Sequence, residues 1–332
     1  MKTPPNTNNP SPDQGLPTQV SFVSVDDDQA GQRLDNFLMA RLKGVPKSKI
    51  YNIIRKGEVR VNKGRSKPDY KILHGDEIRI PPVRMSEKEP VAKPSNTMTT
   101  LLENSILFEN EGLLVINKPP GLAVHGGSGI SLGLIETLRQ MRPDARYLEL
   151  IHRLDRDTSG CIMVAKKRSM LRHLQAALRE KNTSGITKVY QALVIGHWPK
   201  TCRRVDAPLL KVEVADDERV VRVHGDGKPS LTEFKLLQDY TNCSLVEARP
   251  ITGRTHQIRV HAKHMGHSLV GDEKYGDDDF NKEMKAKGVK RLFLHAAELG
   301  FYLPEAKEKT IVKAPLAADL AAVINKLSPV AP

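Results

Sequence analysis

The sequence predicts an α+β protein of two domains: a small, strongly basic helix-and-hairpin unit, then a larger domain built around a mixed β-sheet. Three observations carry this. The chain has 332 residues, about twice the roughly 150 of a typical domain. Its pattern changes near residue 105, from helical periodicity to short β-type runs. Beyond that point strands meet only occasional helices, without the strict alternation of a doubly wound parallel sheet. Hydrophobic residues make up 39% and charged residues 27%, enough apolar surface for a core, which excludes a mostly disordered chain. The longest apolar runs, such as Leu113-Leu114-Val115-Ile116, fall far short of the roughly 20 residues of a membrane span. The first twenty residues carry no secretory signal pattern, and Cys161, Cys202 and Cys243 are too scattered for a CxxC site or a disulfide framework. A cytoplasmic location is therefore expected.

The formal net charge is +13. Such a surplus attracts polyanions, and RNA is expected over a membrane because no basic amphipathic helix carries a large aromatic face. Residues 1–20, rich in Pro and Asn, read as a disordered tail. The first domain is expected over 21–84. Leu34, Phe37, Leu38 and Leu42 recur at helical spacing and predict an amphipathic helix over 33–42. Ser48 reads as the N-cap of a second helix whose core face is Ile50, Ile53 and Ile54, with Gly57 as its stop. Lys49, Asn52 and Lys56 share the opposite side. Val59-Arg60-Val61 and Ile78-Arg79-Ile80 alternate as strands, and Asn62-Lys63-Gly64 turns the first. Residues 33–71 hold twelve Lys/Arg against Asp35, Glu58 and Asp69. A charge run is often only a solvated face; the size and localisation of this one favour an RNA-docking surface.

Residues 85–104 read as a linker, and the second domain is expected over 105–328. A buried strand over 112–116 is stopped by Lys118-Pro119-Pro120-Gly121. A helix is expected over 132–141, then strands over 148–152 and 161–165. The next helix starts at Ser169, with Leu171, Leu174 and Leu178 inward. Further strands are expected over 188–195, 232–237 and 244–248.

The chemistry concentrates in His152-Arg153-Leu154-Asp155-Arg156-Asp157-Thr158-Ser159-Gly160, a polar run between two apolar strands. A local turn accounts for Asp157, Thr158 and Ser159. It does not account for Arg153, Asp155 and Arg156 crowding together. Neighbouring cations keep a carboxylate ionised, and an ionised carboxylate can be a nucleophile, so on spacing alone both readings of Asp155 stand. Ile258, Ala262 and Met265 predict a helix over 254–265 that spreads His256, His261 and His264 over different sides, with His267 beyond it. No metal is expected from that arrangement. His125-Gly126-Gly127-Ser128-Gly129 lacks both the Lys-Ser/Thr of a phosphate loop and GxGxxG spacing. It reads as a loop beside a site, and no cofactor is expected.

Residues 32–80 resemble the alpha-L RNA-binding domain, through Gln32-Arg33-Leu34-Asp35-Asn36-Phe37-Leu38, the segment from Ser48 to Ile54, and Lys56-Gly57-Glu58-Val59-Arg60-Val61-Asn62. The resemblance implies RNA contacts from Arg33, Lys49, Asn52, Lys56 and Arg60. The run from His152 to Gly160 resembles the signature of RNA pseudouridine synthases of the large-subunit ribosomal RNA branch. Three further blocks fit in order: Asn117-Lys118-Pro119-Pro120-Gly121 with Val124-His125, Lys188-Val189-Tyr190-Gln191-Ala192-Leu193-Val194, and Thr252-Gly253-Arg254-Thr255-His256-Gln257-Ile258-Arg259-Val260-His261. The polar stretch at 181–187 departs from the family pattern and leaves the loop before Tyr190 undefined.

That family resemblance implies a mixed, largely antiparallel sheet of pseudouridine synthase type. It also implies cofactor-free isomerisation of a flipped uridine in 23S ribosomal RNA, with Asp155 as the essential carboxylate. Arg254 would pair with Asp155, and Tyr190 would stack on the uracil. Arg153 would fill the gap left by the flipped nucleotide, and Arg156, Lys118 and His125 would contact RNA. Without the resemblance Tyr190 reads as a core or strand tyrosine. Nothing in the sequence reads as a dimer seam, so a monomer is expected. The competing functions are an RNA N-glycosidase or metal-dependent hydrolase, which would release free base or a cut chain, and an RNA-binding assembly factor, in which Asp155→Asn would be silent.

Overall fold

Alternate residues of one strand enter two different cores, which is why the run at 113–116 is apolar without a break. Leu113 and Val115 pack with Cys161 and Met163 beneath Met170 and Leu174. Leu114 and Ile116 pack with Ile162 and Val164 against Leu134, Ile135 and Leu138. A strand covered on both faces needs no polar alternation.

The computed structural model describes residues 19–27, 29–42, 44–83, 93–126, 132–180, 185–213 and 219–330. The chain divides between residues 91 and 92 into two compact units. The first contains β1 (Ser21–Ser24), α1 (Leu34–Arg41), α2 (Lys47–Arg55), β2 (Arg60–Val61), β3 (Gly64–Arg65) and β4 (Glu77–Ile80). Its antiparallel sheet runs β1-β4-β2-β3. Leu34, Phe37 and Leu38 of α1 and Ile50, Ile53 and Ile54 of α2 close over Val59, Ile72, Ile78 and Ile80. Ser48 is not the N-cap. Pro46 occupies that position with φ −56°, and its ring-fixed dihedral starts the helix earlier than the serine would, leaving Ser48 exposed in the first turn.

The second unit contains α3 (Asn96–Glu103), β5 (Ile106–Glu109), β6 (Leu113–Lys118), α4 (Leu134–Met141), β7 (Glu149–Leu150), β8 (Ser159–Ala165) and α5 (Arg168–Arg179). It continues through β9 (Thr187–Ile195), β10 (Arg204–Asp206), β11 (Leu209–Glu213), β12 (Arg219–Val223), β13 (Leu231–Tyr240) and β14 (Cys243–Pro250). It ends with α6 (Gln257–His264), α7 (Asp278–Ala286), β15 (Leu294–Phe301), β16 (Thr310–Lys313) and α8 (Ala318–Ile324). The main sheet runs β10-β13-β14-β9-β15-β8-β6-β5, with β7 beside β8 and β16 beside β15. Its pairings are antiparallel except β8 with β15. This is the mixed, largely antiparallel α+β architecture that the sequence implies. β11 and β12 form a separate hairpin.

Two expectations change. Within the expected linker, 96–103 is helix α3, capped by the Ser95 hydroxyl, which accepts the Met98 N–H at 3.2 Å. One buried anchor, Leu102, is too thin a signal to read as periodicity. The strand expected over 148–152 ends at Leu150 because His152 turns back and accepts the Met163 N–H on Nε2 at 3.1 Å. Residues 1–18 of the tail expected over 1–20, residues 84–92, the glycines at 127 and 129 and residues 181–184 lie outside the described residues.

The parallel pairing of β8 with β15 meets at Gly160 and Ala296. Gly160 has φ +106°, and a Cβ there would lie 2.2 Å from the Ala296 carbonyl oxygen. Only glycine fits both the dihedral and the approach. This contact anchors the base of the 151–158 loop.

Candidate active site

The 151–158 loop is held from beneath by a lysine. Lys118, the last residue of β6, is fully buried, and its Nζ donates to the carbonyls of Pro119, Leu122 and Arg156, each at 2.9 Å. Its three protons are used within the protein, so Lys118 does not face RNA as expected. Instead it grips the carbonyl one residue beyond Asp155. Arg291 holds the far side: Nη1 donates to the Asp157 carbonyl at 3.3 Å while Nε and Nη2 pair with Asp319 at 2.7 and 3.0 Å.

The Asp155 side chain is 26% exposed. Its Oδ2 accepts from Arg259 Nη1 at 3.3 Å, and His256 Nε2 stands 3.8 Å from the same oxygen. Arg259 lies on α6, with Nε and Nη2 donating to the two oxygens of Asp272, both at 2.7 Å. Its guanidinium also sits 4.9 Å over the Tyr275 ring. Burial by itself would push the Asp272 carboxyl up, yet Arg259 and the N–H groups of Tyr275 and Lys274 hold it below its ordinary value. Burial likewise opposes the Arg259 charge, and Asp272 and Asp155 overcome it.

The expected Arg254–Asp155 pair does not form. Arg254 is exposed, and its Nε donates to the Pro229 carbonyl at 3.2 Å. The cause is local. His256 adopts a left-handed conformation, φ +54°, so the helix expected over 254–265 begins only at Gln257. Gln257 pins the preceding loop, its Oε1 accepting from the Arg254 N–H at 3.0 Å and the Thr252 hydroxyl at 2.6 Å. From that start Arg259 points inward. Arg153 and Arg156, which flank Asp155 in sequence, are both exposed, and Arg156 pairs with Asp157 at 3.3 Å.

A cavity of about 710 Å³ is lined by Asp155, Arg153, Lys188, Tyr190, Arg254 and His256. A second, of about 540 Å³, is lined by Asp155, Arg153, Arg156, His125 and His256. Asp155 therefore opens onto both. Burial, then the Asp155 charge, pushes the Tyr190 hydroxyl well above its ordinary value and keeps it protonated. Burial pulls Lys188 down to about 8. Burial and the Lys188 charge bring His152 down to about 4.

The expected RNA face of the first unit divides in two. Lys49 and Asn52 are exposed on α2, opposite its buried isoleucines, and Lys56, also exposed, is its C-cap residue. Arg60 is exposed but folds onto its own hairpin, donating to the carbonyls of Gly57 and Lys63 at 3.3 Å. Arg33 forks onto buried Asp35 at 3.1 and 2.6 Å, and this pairing holds the Asp35 carboxyl below its ordinary value.

Residues 112–264 match the family model described as RNA pseudouridylate synthase, and residues 32–78 match the S4 domain. Over 310 residues the chain is 54% identical to ribosomal large subunit pseudouridine synthase C of Pasteurella multocida (strain Pm70), covering 93% of this chain and 94% of the relative. The chain belongs to the RNA pseudouridine synthase family. This synthase is also 53% identical over 311 residues to the protein of that name in Escherichia coli (strain K12), covering 93% of this chain and 97% of the relative. Among solved structures it is similar to human RNA pseudouridylate synthase domain containing 4, with TM-score 0.58 and 28% identity over 71% of this chain and 98% of that chain. Human RNA pseudouridylate synthase domain containing 1 gives TM-score 0.57 and 27% identity, over 72% of this chain and 91% of that chain.

Sequence reasoning about the synthase missed Arg259, His256, Asp272 and Tyr275. Arg259 stood in the matching block, but two arginines five residues apart cannot be ranked until the helix start is known. Two of the other three histidines of this segment serve the fold. His261 donates from Nε2 to the Ala207 carbonyl and accepts the Thr232 hydroxyl on Nδ1, both at 2.9 Å. His267 donates from Nδ1 to the Ile195 carbonyl at 2.8 Å, and His264 is exposed. Among the described residues no three His, Cys, Asp or Glu gather as a metal-ligand set.

Proposed function

We propose that the synthase isomerises specific uridines to pseudouridine in 23S ribosomal RNA of the large subunit, contributing to maturation of that RNA. It would work without a cofactor and as a monomer in the cytoplasm. The observation that carries the reading is the Asp155 carboxylate, anchored on one oxygen by Arg259 and opening onto a cavity that Tyr190 also lines. The cavity volume is in the range that takes a small ligand. In the reaction the N1–C1′ bond breaks and a C5–C1′ bond forms, the C5 proton departs, and N1 takes up a proton. The base never leaves, so no external acceptor is needed. Asp155 supplies the carboxylate for this exchange at the sugar or the base, the counterpart of a glycosidase nucleophile. Detached from C1′, uracil is a stable anion that stays in the cavity until it is rejoined through C5, which removes the need for a second carboxylic acid.

A duplex base is out of reach of such a cavity, so the target uridine must be extruded. The exposed Arg153, at the seam of the two cavities, occupies the vacated stack, and Tyr190 stacks on the uracil. Arg156 and His125, on the second cavity, together with Arg254, contact flanking phosphates. Lys49, Asn52 and Lys56 of the S4 domain supply salt-sensitive affinity, with Arg33 and Arg60 beside them.

The test is tritium release from large-subunit RNA labelled at uridine C5, with EDTA present. Wild-type release that disappears in Asp155→Asn while RNA binding persists supports the reading. Release retained in that variant removes Asp155 from the mechanism, and free uracil among the products identifies an N-glycosidase instead.

A further inference from the structure

Among the described residues of the Asp155 cavity wall, His256 alone combines a large side chain with a left-handed backbone, φ +54°. That conformation is uncommon outside glycine and tends to persist where surroundings enforce it. Here the ring is held at Nδ1. Nδ1 lies 2.7 Å from the Tyr275 hydroxyl, and the same hydroxyl accepts the Val221 N–H at 2.9 Å. The phenol has one proton to give, and among the described residues the acceptor within reach of it is His256 Nδ1, so that proton goes to Nδ1. Burial keeps the imidazole below its ordinary value and therefore neutral. Its single N–H is then on Nε2, directed at the cavity.

Nε2 stands 3.8 Å from Asp155 Oδ2, too far for a direct hydrogen bond. The gap suits one oxygen that accepts from Nε2–H and donates to Oδ2. Arg259 occupies the same Oδ2, and Oδ1 has no hydrogen-bond partner among the described residues, so Oδ1 is left to face the reacting atoms. The uracil carbonyls only accept and its N3–H only donates. A ribose hydroxyl does both, and the 2′-hydroxyl lies one carbon from the C1′ at which the bond exchange occurs.

We infer that His256 and Asp155 Oδ2 together bind the 2′-hydroxyl of the flipped nucleotide, which makes His256 the residue that selects ribose over deoxyribose at the target. This rests on the isomerase reading above. The test compares single-turnover tritium release from C5-labelled RNA carrying either uridine or 2′-deoxyuridine at the target, for wild type, His256→Gly and Tyr275→Phe. Glycine suits the left-handed backbone, so folding is preserved. Phenylalanine keeps the ring of Tyr275 but releases the imidazole tautomer. Wild type is expected to prefer uridine by about tenfold, the scale of one hydrogen bond. The preference falls to within about twofold in His256→Gly and is reduced in Tyr275→Phe. If the variants slow both substrates equally and the ratio survives, the ring is only structural and the inference is overturned while the isomerase reading stands. If wild type shows no preference, the inference also falls. If wild type releases nothing from uridine RNA, the isomerase reading fails first.

Discussion

Arg259 binds two carboxylates at once: Nη1 reaches Asp155 Oδ2 at 3.3 Å while Nε and Nη2 close a fork on buried Asp272 at 2.7 Å. The position of the cation beside Asp155 is thus set by a residue that never sees solvent, rather than by the neighbouring exposed arginines. A planar fork can make both contacts; a point charge on a flexible stem cannot. Arg259→Lys is therefore expected to lower kcat by about a hundredfold or more through misplacement of Asp155. It should also cost roughly 3 kcal/mol of stability by leaving Asp272 incompletely paired. Steady-state kinetics with urea unfolding check this, and a near-wild-type kcat would remove Arg259 from the positioning role.

Lys118→Met keeps the aliphatic stem and removes the donor to three carbonyls. Leaving buried acceptors unpaired should cost roughly 3 kcal/mol. Because one of them is the Arg156 carbonyl, kcat should fall further than RNA affinity. Thermal unfolding and RNA-binding measurements on the same preparation separate the effects. An unchanged Tm with weakened RNA binding would return Lys118 to the RNA interface.

His152 carries a pH signature. Its pKa is about 4 in the fold against 6.5 when free, through burial and the Lys188 charge. As pH falls through about 6.5 the unfolded chain takes a proton that the native state refuses until about 4. The contribution to stability is complete above 6.5, is lost across that window, and amounts to about 3 kcal/mol. Protonation of Nε2 also destroys its bond from the Met163 N–H. Urea unfolding across this pH range should show a shallower slope for His152→Asn than for wild type. Equal slopes would mean that the ring is not held neutral by burial.

Lys49 on α2 and Lys56 at its C-cap are both exposed, with no acidic partner among the described residues. Replacing both by alanine should weaken RNA binding at low salt and reduce the slope of log K against log salt by about 1.4, that is, about 0.7 for each phosphate left unneutralised on single-stranded RNA. Turnover at saturating RNA should be unchanged. Fluorescence anisotropy across a salt series measures the slope, and an unaltered slope would move the docking face elsewhere.

Much of the candidate site is legible in the chain. The run from His152 to Gly160 stands out because opposite charges crowd a short segment between two buried strands, and Asp155 does open onto a cavity. The strands β6, β8, β9, β13 and β14 read correctly in type, since their apolar runs depend only on near neighbours. The helix at 96–103 was not legible because a single buried leucine defines it. Lys118 misled for a related reason: a lysine beside prolines and glycine looks like a surface cation until the surrounding carbonyls are placed.

From the sequence alone come the two-unit division, the element types, the basic side of α2 and the charged run that holds the candidate carboxylate. All of these depend on residue chemistry and on periodicities of a few residues. Only the tertiary structure decided which arginine meets that carboxylate. The partners lie 104 residues apart, and the choice between Arg254 and Arg259 turns on one left-handed residue, His256, whose ring meets Tyr275 19 residues further on. Long-range contacts of this kind are set by the surroundings of the whole fold, and no local pattern carries them.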